Sequence, residues 1–122
     1  MLAAVVRKTK FFKEDDGSEP VKDWLNHMKR KNKFVEVAKI NSRIKRAGQG
    51  NFGDYRFLAG ALGELKIDYG PGYRVYFGLD GDELIVLLNG GAKNDQQADI
   101  DLAQKRWERY LKQNGTEEED GK

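Results

Sequence analysis

The chain contains no cysteine, one histidine, two prolines and no long apolar run, and each shortage closes off a class of function. Without thiols there is no disulfide, no cysteine nucleophile and no thiolate metal centre. His27 alone cannot build a histidine-rich zinc site, so neither metal nor cofactor is expected. No stretch approaches the roughly 18 apolar residues of a membrane-spanning helix. The opening MLAAVVRKTK lacks the basic segment that precedes the apolar part of a secretory signal. A soluble, cytoplasmic protein with no membrane partner is the expectation. The tetrad GGAK lacks the glycine spacing and the Ser or Thr after lysine that a nucleotide P-loop needs, which excludes an NTPase of that type. Acid is scarce in one place: residues 29–46 hold eight basic side chains against Glu36 alone.

What is present fits one modest domain. The 122 residues are 39% hydrophobic and 34% charged, enough for a core under a densely charged surface. Net charge is +2, but the last seven residues, TEEEDGK, carry four acids and one lysine, so the remainder stands at +5. Residues 1–114 are expected to form a single domain and residues 115–122 a mobile acidic tail. A basic surface attracts polyanions, although basic residues beside an apolar stripe also describe a solvated helix face.

The run AVVRKTKFF reads as a strand. After KEDDGSEP, with Ser18 as a helix cap and Pro20 in the first turn, Val21, Trp24, Leu25 and Met28 make a helical stripe. Phe34, Val37, Ile40, Ile44 and Ala47 make a second, beyond a break near Lys31 and Asn32. Of 14 glycines, 11 fall between Gly48 and Gly91, separating β-prone runs at about 54–58, 62–69, 73–79 and 83–89. Asp80-Gly81 suits a two-residue hairpin turn. LIVLLN, apolar almost throughout, suits a central strand covered on both faces. Ile100, Ala103, Trp107, Tyr110 and Leu111 define a C-terminal helix, with Asn94 and Gln97 spaced as a capping box.

YGPGYRVYF places a Gly-Pro-Gly turn before an arginine. With Tyr69 opposite Tyr73, Asp68 lies across from Arg74 and Lys66 from Tyr76. Leu65, Ile67, Tyr69, Tyr73, Val75 and Phe77 then share the core face, while Glu64, Lys66, Asp68, Arg74 and Tyr76 share the other. An Asp68–Arg74 pair at a sheet surface contributes only about 0.2–1 kcal/mol. Arg56 on the preceding strand and Lys93 after the apolar one bring further cations to the same end. Such a sheet face suits an RNA backbone.

The segments RIKRAGQGNFGDYRFLAGALGELKIDYGPGYRVYF and LLNGGAKNDQQADIDLA resemble the RelE/ParE superfamily of toxin–antitoxin toxins, specifically its HigB-like addiction-module killer branch. The resemblance covers most of the chain. It implies an α+β fold, RelE-like, with two N-terminal helices packed on a twisted, mainly antiparallel sheet and a C-terminal helix. It implies a ribosome-dependent, metal-independent mRNA endoribonuclease that inhibits translation, with the ribosome, mRNA and a cognate antitoxin as partners. A ParE-like gyrase inhibitor and a non-enzymatic partner-binding module are the alternatives. By position, the resemblance assigns catalysis to Arg74, Lys66, Lys93 and Tyr76; RNA binding is expected at Arg56, Lys39, Arg43, Lys45 and Arg46. Lys66 stands where the family has arginine and Ala92 where an acid is frequent, and FFKEDDGSEP is longer than usual in the branch.

In the expected reaction a 2′-hydroxyl attacks the adjacent phosphate and expels the 5′-oxygen of the next nucleotide, leaving a 2′,3′-cyclic phosphate or its opened product. Arg74, Arg56 and Lys66 neutralise the phosphate oxygens, and Tyr76 stacks a base or shares in proton transfer. The general base stays open among lysine, tyrosine, Glu64 and Asp68. His27 is expected to be a surface or packing residue.

Overall fold

The computed structural model describes residues 4–115; most of the expected acidic tail, residues 116–122, lies outside the described residues. The chain is α+β. Strand β1 (Lys8–Phe11) is followed by helices α1 (Pro20–Arg30) and α2 (Phe34–Gly48), then β2 (Tyr55–Ala59), β3 (Leu62–Ile67), β4 (Tyr73–Asp80), β5 (Leu84–Ala92) and α3 (Gln96–Tyr110). The sheet runs β1-β5-β4-β3-β2, with β1 parallel to β5 and every other pair antiparallel. The helix pair therefore does not open the fold, because β1 precedes it and pairs with the strand formed last. Among the described residues no helix is long and apolar enough to cross a membrane.

Both sheet faces are covered. Val21, Leu25, Met28, Val37, Ile40 and Ile44 of α1 and α2 pack on Leu65, Ile67, Tyr73, Val75, Phe77, Ile85 and Leu87. On the opposite face Ala103, Trp107 and Tyr110 of α3 pack on Leu62, Tyr76, Val86 and Leu88. The unbroken apolar run of β5 is the sequence record of this arrangement, since its alternate residues enter different cores. Opposite Tyr76 a bulge inserts Leu88, so that Leu88 and Asn89 both turn toward α3, where the Asn89 amide donates to the Asp99 carbonyl.

Local starts and turns depart from expectation. Pro20 does open α1, but the cap position is Glu19 without a side-chain bond, and Ser18 instead donates its amide to Asp16. No capping box starts α3: a 3₁₀ turn at Lys93–Asp95 precedes it, and Gln97 bonds forward to Asp101. The β4–β5 connection has three residues rather than two, because Asp80 pairs with Leu84. In the β3–β4 hairpin Ile67, not Tyr69, faces Tyr73, so Asp68 to Gly72 form the loop, with Gly70 and Gly72 at positive φ. The register is thus two residues away from the one read off the turn. An even shift preserves which side chains share a face.

Candidate functional site

The face carrying Glu64, Arg74 and Tyr76 was expected to be open, and α3 covers it. That helix has its own apolar stripe to bury, and the sheet offers Leu62, Val86 and Leu88 to receive it. Glu64 and Tyr76 are 0% exposed as a result. Burial first, then the Glu64 and Asp99 charges, push the Tyr76 phenol well above its ordinary range. Its hydroxyl has no hydrogen-bond partner. Tyr76 therefore has neither the access to stack a base nor the acidity to shuttle a proton at neutral pH, and its expected catalytic role is corrected to a core position.

Arg74 does not pair with Asp68, which the two-residue shift places in the exposed loop. Its cross-strand neighbour is Lys66. Its Nε lies 4.0 Å from a Glu64 oxygen, and its Nη1 donates to the Tyr73 carbonyl at 3.2 Å. The same carboxylate accepts from Arg56 Nε at 2.6 Å and from Gln96 Nε2 at 3.2 Å. Glu64 therefore joins β2, β3, β4 and the start of α3 through one buried anion. The Arg74 side chain is only 11% exposed, whereas Arg56 is half-exposed.

At the far end of this cluster Lys93 is exposed, Lys66 and Arg74 are partly buried and Gly72 is buried. A Cβ placed on Gly72 would lie 3.6 Å from Lys93 Cβ and 3.7 Å from Arg74 Nη1, so both cationic side chains bracket that glycine. The Lys93 amide donates to the Gly72 carbonyl, which ties the end of β5 to the hairpin. Among the described residues neither Lys66 nor Lys93 makes an ion pair, so of the cations Lys66, Arg74 and Lys93 at this corner only Arg74 comes within 4.0 Å of an acid, Glu64. Such a corner can hold a phosphate or another anion.

The basic residues of α2 do not join it. Arg43 is structural rather than RNA-binding: its guanidinium donates to the carbonyls of Lys66, Phe52 (2.6 Å) and Asp54 (3.0 Å), stapling α2 to β3 and to the loop before β2. Lys39 sits over the Tyr69 ring, 4.9 Å from its centre, and lines a groove of about 240 Å³ with Arg46 on the helix-pair side of the hairpin. Lys45 is exposed elsewhere on α2. Arg43→Ala is expected to cost about 2–3 kcal/mol in chemical denaturation, since three carbonyls lose a charged donor. Arg43→Lys should restore little of it, because an ammonium cannot span all three.

Two groups beyond the expected set belong to this neighbourhood, Gln96 and Asp99. Both stand in the motif stretch NDQQADI, where the spacing suggested a helix cap and a family mark but gave no chemistry. The Asp99 carboxylate lies against Gly91, where an added Cβ would come within 2.1 Å of Oδ2. Burial, then Asp95, holds Asp99 above the usual carboxylate range. The twin glycine has a packing reason on both sides, because a Cβ on Gly90 would lie 2.3 Å from the Trp24 ring. Among the described residues no group of His, Asp and Glu is placed to hold a metal ion.

No family model matches the chain. A Haemophilus influenzae (strain Rd) protein described as uncharacterized is 45% identical over 80 residues, covering 66% of this chain and 78% of that protein. At that identity and coverage, the chain belongs to the same family as this Haemophilus influenzae protein.

Proposed function

We propose that the protein is the toxin of a toxin–antitoxin pair, a RelE-like, HigB-branch endoribonuclease that cuts mRNA on the ribosome without a metal ion. The observation that carries this reading is the corner at Gly72, where Arg74 and Lys93 converge beside Lys66 and Glu64 is already shared with Arg56 and Gln96. A guanidinium held in place by burial and by the Tyr73 carbonyl, beside the exposed Lys93, is suited to stabilising a phosphorane-like charge, because it need not reorganise as that charge grows. Lys66 and Lys93 add charge without a fork. Lys39 and Arg46 of α2, on the helix-pair side of the hairpin, and exposed Lys45 are left to ribosomal RNA or to the antitoxin.

The test compares purified wild-type protein with Lys93→Ala and Lys39→Ala on programmed ribosomes, reading mRNA cleavage by primer extension. Lys93→Ala should cut at least tenfold more slowly, and Lys39→Ala within about threefold of wild type, as expected for a cation far from the reacting phosphate. Equal rates for Lys93→Ala and wild type reject the corner. Intact mRNA together with blocked gyrase supercoiling replaces this reading with the gyrase one. A partner-binding module is favoured by one feature, the exposed aromatic rings of Tyr55 and Phe57 on edge strand β2. It predicts tight antitoxin binding with no growth arrest on expression.

A further inference from the structure

The two edges of the sheet differ in what they present. Strand β1 carries Lys8 and Lys10, both exposed, and edge lysines keep a strand from pairing further. Strand β2 carries Tyr55 and Phe57, 44% and 46% exposed. Their rings meet edge to face, and each also packs on a ring further in, Tyr55 on Phe52 and Phe57 on Phe77. With Val5, Phe52 and Leu79 they border a groove of about 310 Å³ on the helix-pair face. The Lys66 amide donates to the Asp54 carbonyl at 2.8 Å, and Arg56 pairs with Glu64. The ladder to β3 therefore runs through Asp54 and Arg56, and the amides of Tyr55 and Phe57 point away from it. Outward amides and exposed rings on one strand are the material of strand addition.

We infer that β2 pairs antiparallel with β2 of a second copy of this chain, about a two-fold axis at Tyr55. Only the outward residues Tyr55 and Phe57 can form the hydrogen-bonded pairs of such a contact, which leaves three registers. With Phe57 on the axis, the pairing runs into the bulge that follows Phe57. With Tyr55 opposite Phe57, the two Arg56 side chains meet at the axis, like charge on like. With Tyr55 opposite Tyr55, the two copies exchange amide and carbonyl there, and Asp54 of each lies across from Arg56 of the other. That register alone matches charge. Asp54 is exposed, and among the described residues its carboxylate makes no ion pair, while Arg56 gives Nε to Glu64 at 2.6 Å and stays half-exposed. The rest of the Arg56 fork is left for a second carboxylate. On the other face the aromatic rings of the two copies meet over the groove. Because the patch is its own complement, the assembly closes at two copies. The contact is short, as in transient rather than obligate dimers.

This pairing goes beyond the RNA-cleavage reading and does not depend on it. In sedimentation of the full chain across the micromolar range, the mass should rise from 13.9 kDa toward twice that value and no further. Hydrogen exchange at the Tyr55 amide should slow as the dimer fills, while exchange at Arg56, already in the ladder to β3, stays independent of concentration. Phe57→Lys, which makes β2 resemble β1, and Asp54→Lys, which sets like charges opposite each other, should each weaken association tenfold or more. Phe34→Lys, at an exposed ring on α2, should associate like wild type. A mass fixed at one chain, or growth beyond two, overturns the pairing. So does a Phe57→Lys or Asp54→Lys protein that associates like wild type. A monomeric wild type whose Tyr55 amide is protected only by added antitoxin also overturns it, since the edge then takes a strand of another protein.

Discussion

Replacing Glu64 with alanine is expected to destabilise the fold by about 3–5 kcal/mol, read as a lowered midpoint in urea or guanidinium unfolding. The carboxylate is fully buried and serves Arg56, Gln96 and Arg74 at once. Removing it leaves two cations and an amide beneath α3 without their anion. Arg56, half-exposed, can turn to water, but Arg74 at 11% exposure cannot. Breaking a buried pair from one side costs more than the pair is worth, because the remaining charge stays desolvated. The double variant Glu64→Ala/Arg74→Ala should therefore recover part of the loss, with a coupling of about 0.5–3 kcal/mol. A Glu64→Ala midpoint equal to wild type would mean that the cluster is solvated in solution and contributes nothing to stability.

The elements were legible because their periodicities are strong and local. The stripes of α1, α2 and α3 and the doubly buried run of β5 are found where the spacing puts them, with boundaries moved by a few residues. The hairpin register came out two residues away because Gly-Pro-Gly sits in a five-residue loop, not a three-residue one. The face assignment survived because the shift is even. The partner of the second sheet face was not legible. The stripe Ile100, Ala103, Trp107, Tyr110 says that α3 must bury one side, yet nothing local says that it does so over Glu64 and Tyr76. Tyr76 passed from an open tyrosine to a core one for that long-range reason, whereas Arg74 lost Asp68 as its partner through the register shift and lies against Glu64 instead. Arg43 failed for a related reason. Its position off the apolar stripe marks it as solvated, but the carbonyls that collect it come from Phe52, Asp54 and Lys66, residues whose placement depends on how β2 and β3 return to α2.

Arg74→Ala is expected to lower ribosome-dependent mRNA cleavage by about 10²–10³-fold, the usual effect of deleting one preorganised donor at a developing charge. Growth arrest on expression should disappear with it. Stability should change little, because Glu64 keeps Arg56 at 2.6 Å and Gln96 at 3.2 Å and is not stranded. That separation matters, since Glu64→Ala is also expected to lower activity, but by loosening the fold, and the two variants must differ in their denaturation midpoints. Arg74→Lys gives the sharper distinction. It keeps the charge beneath α3, but a single ammonium cannot stay near Glu64, bond the Tyr73 carbonyl and still extend toward Lys93 at Gly72. Less than a tenfold recovery over alanine is the expected result. If lysine restores the wild-type rate, the corner supplies charge alone and the guanidinium geometry is incidental; if alanine itself cuts at the wild-type rate, Arg74 is only a buried counter-ion to Glu64 and the reacting phosphate is held elsewhere.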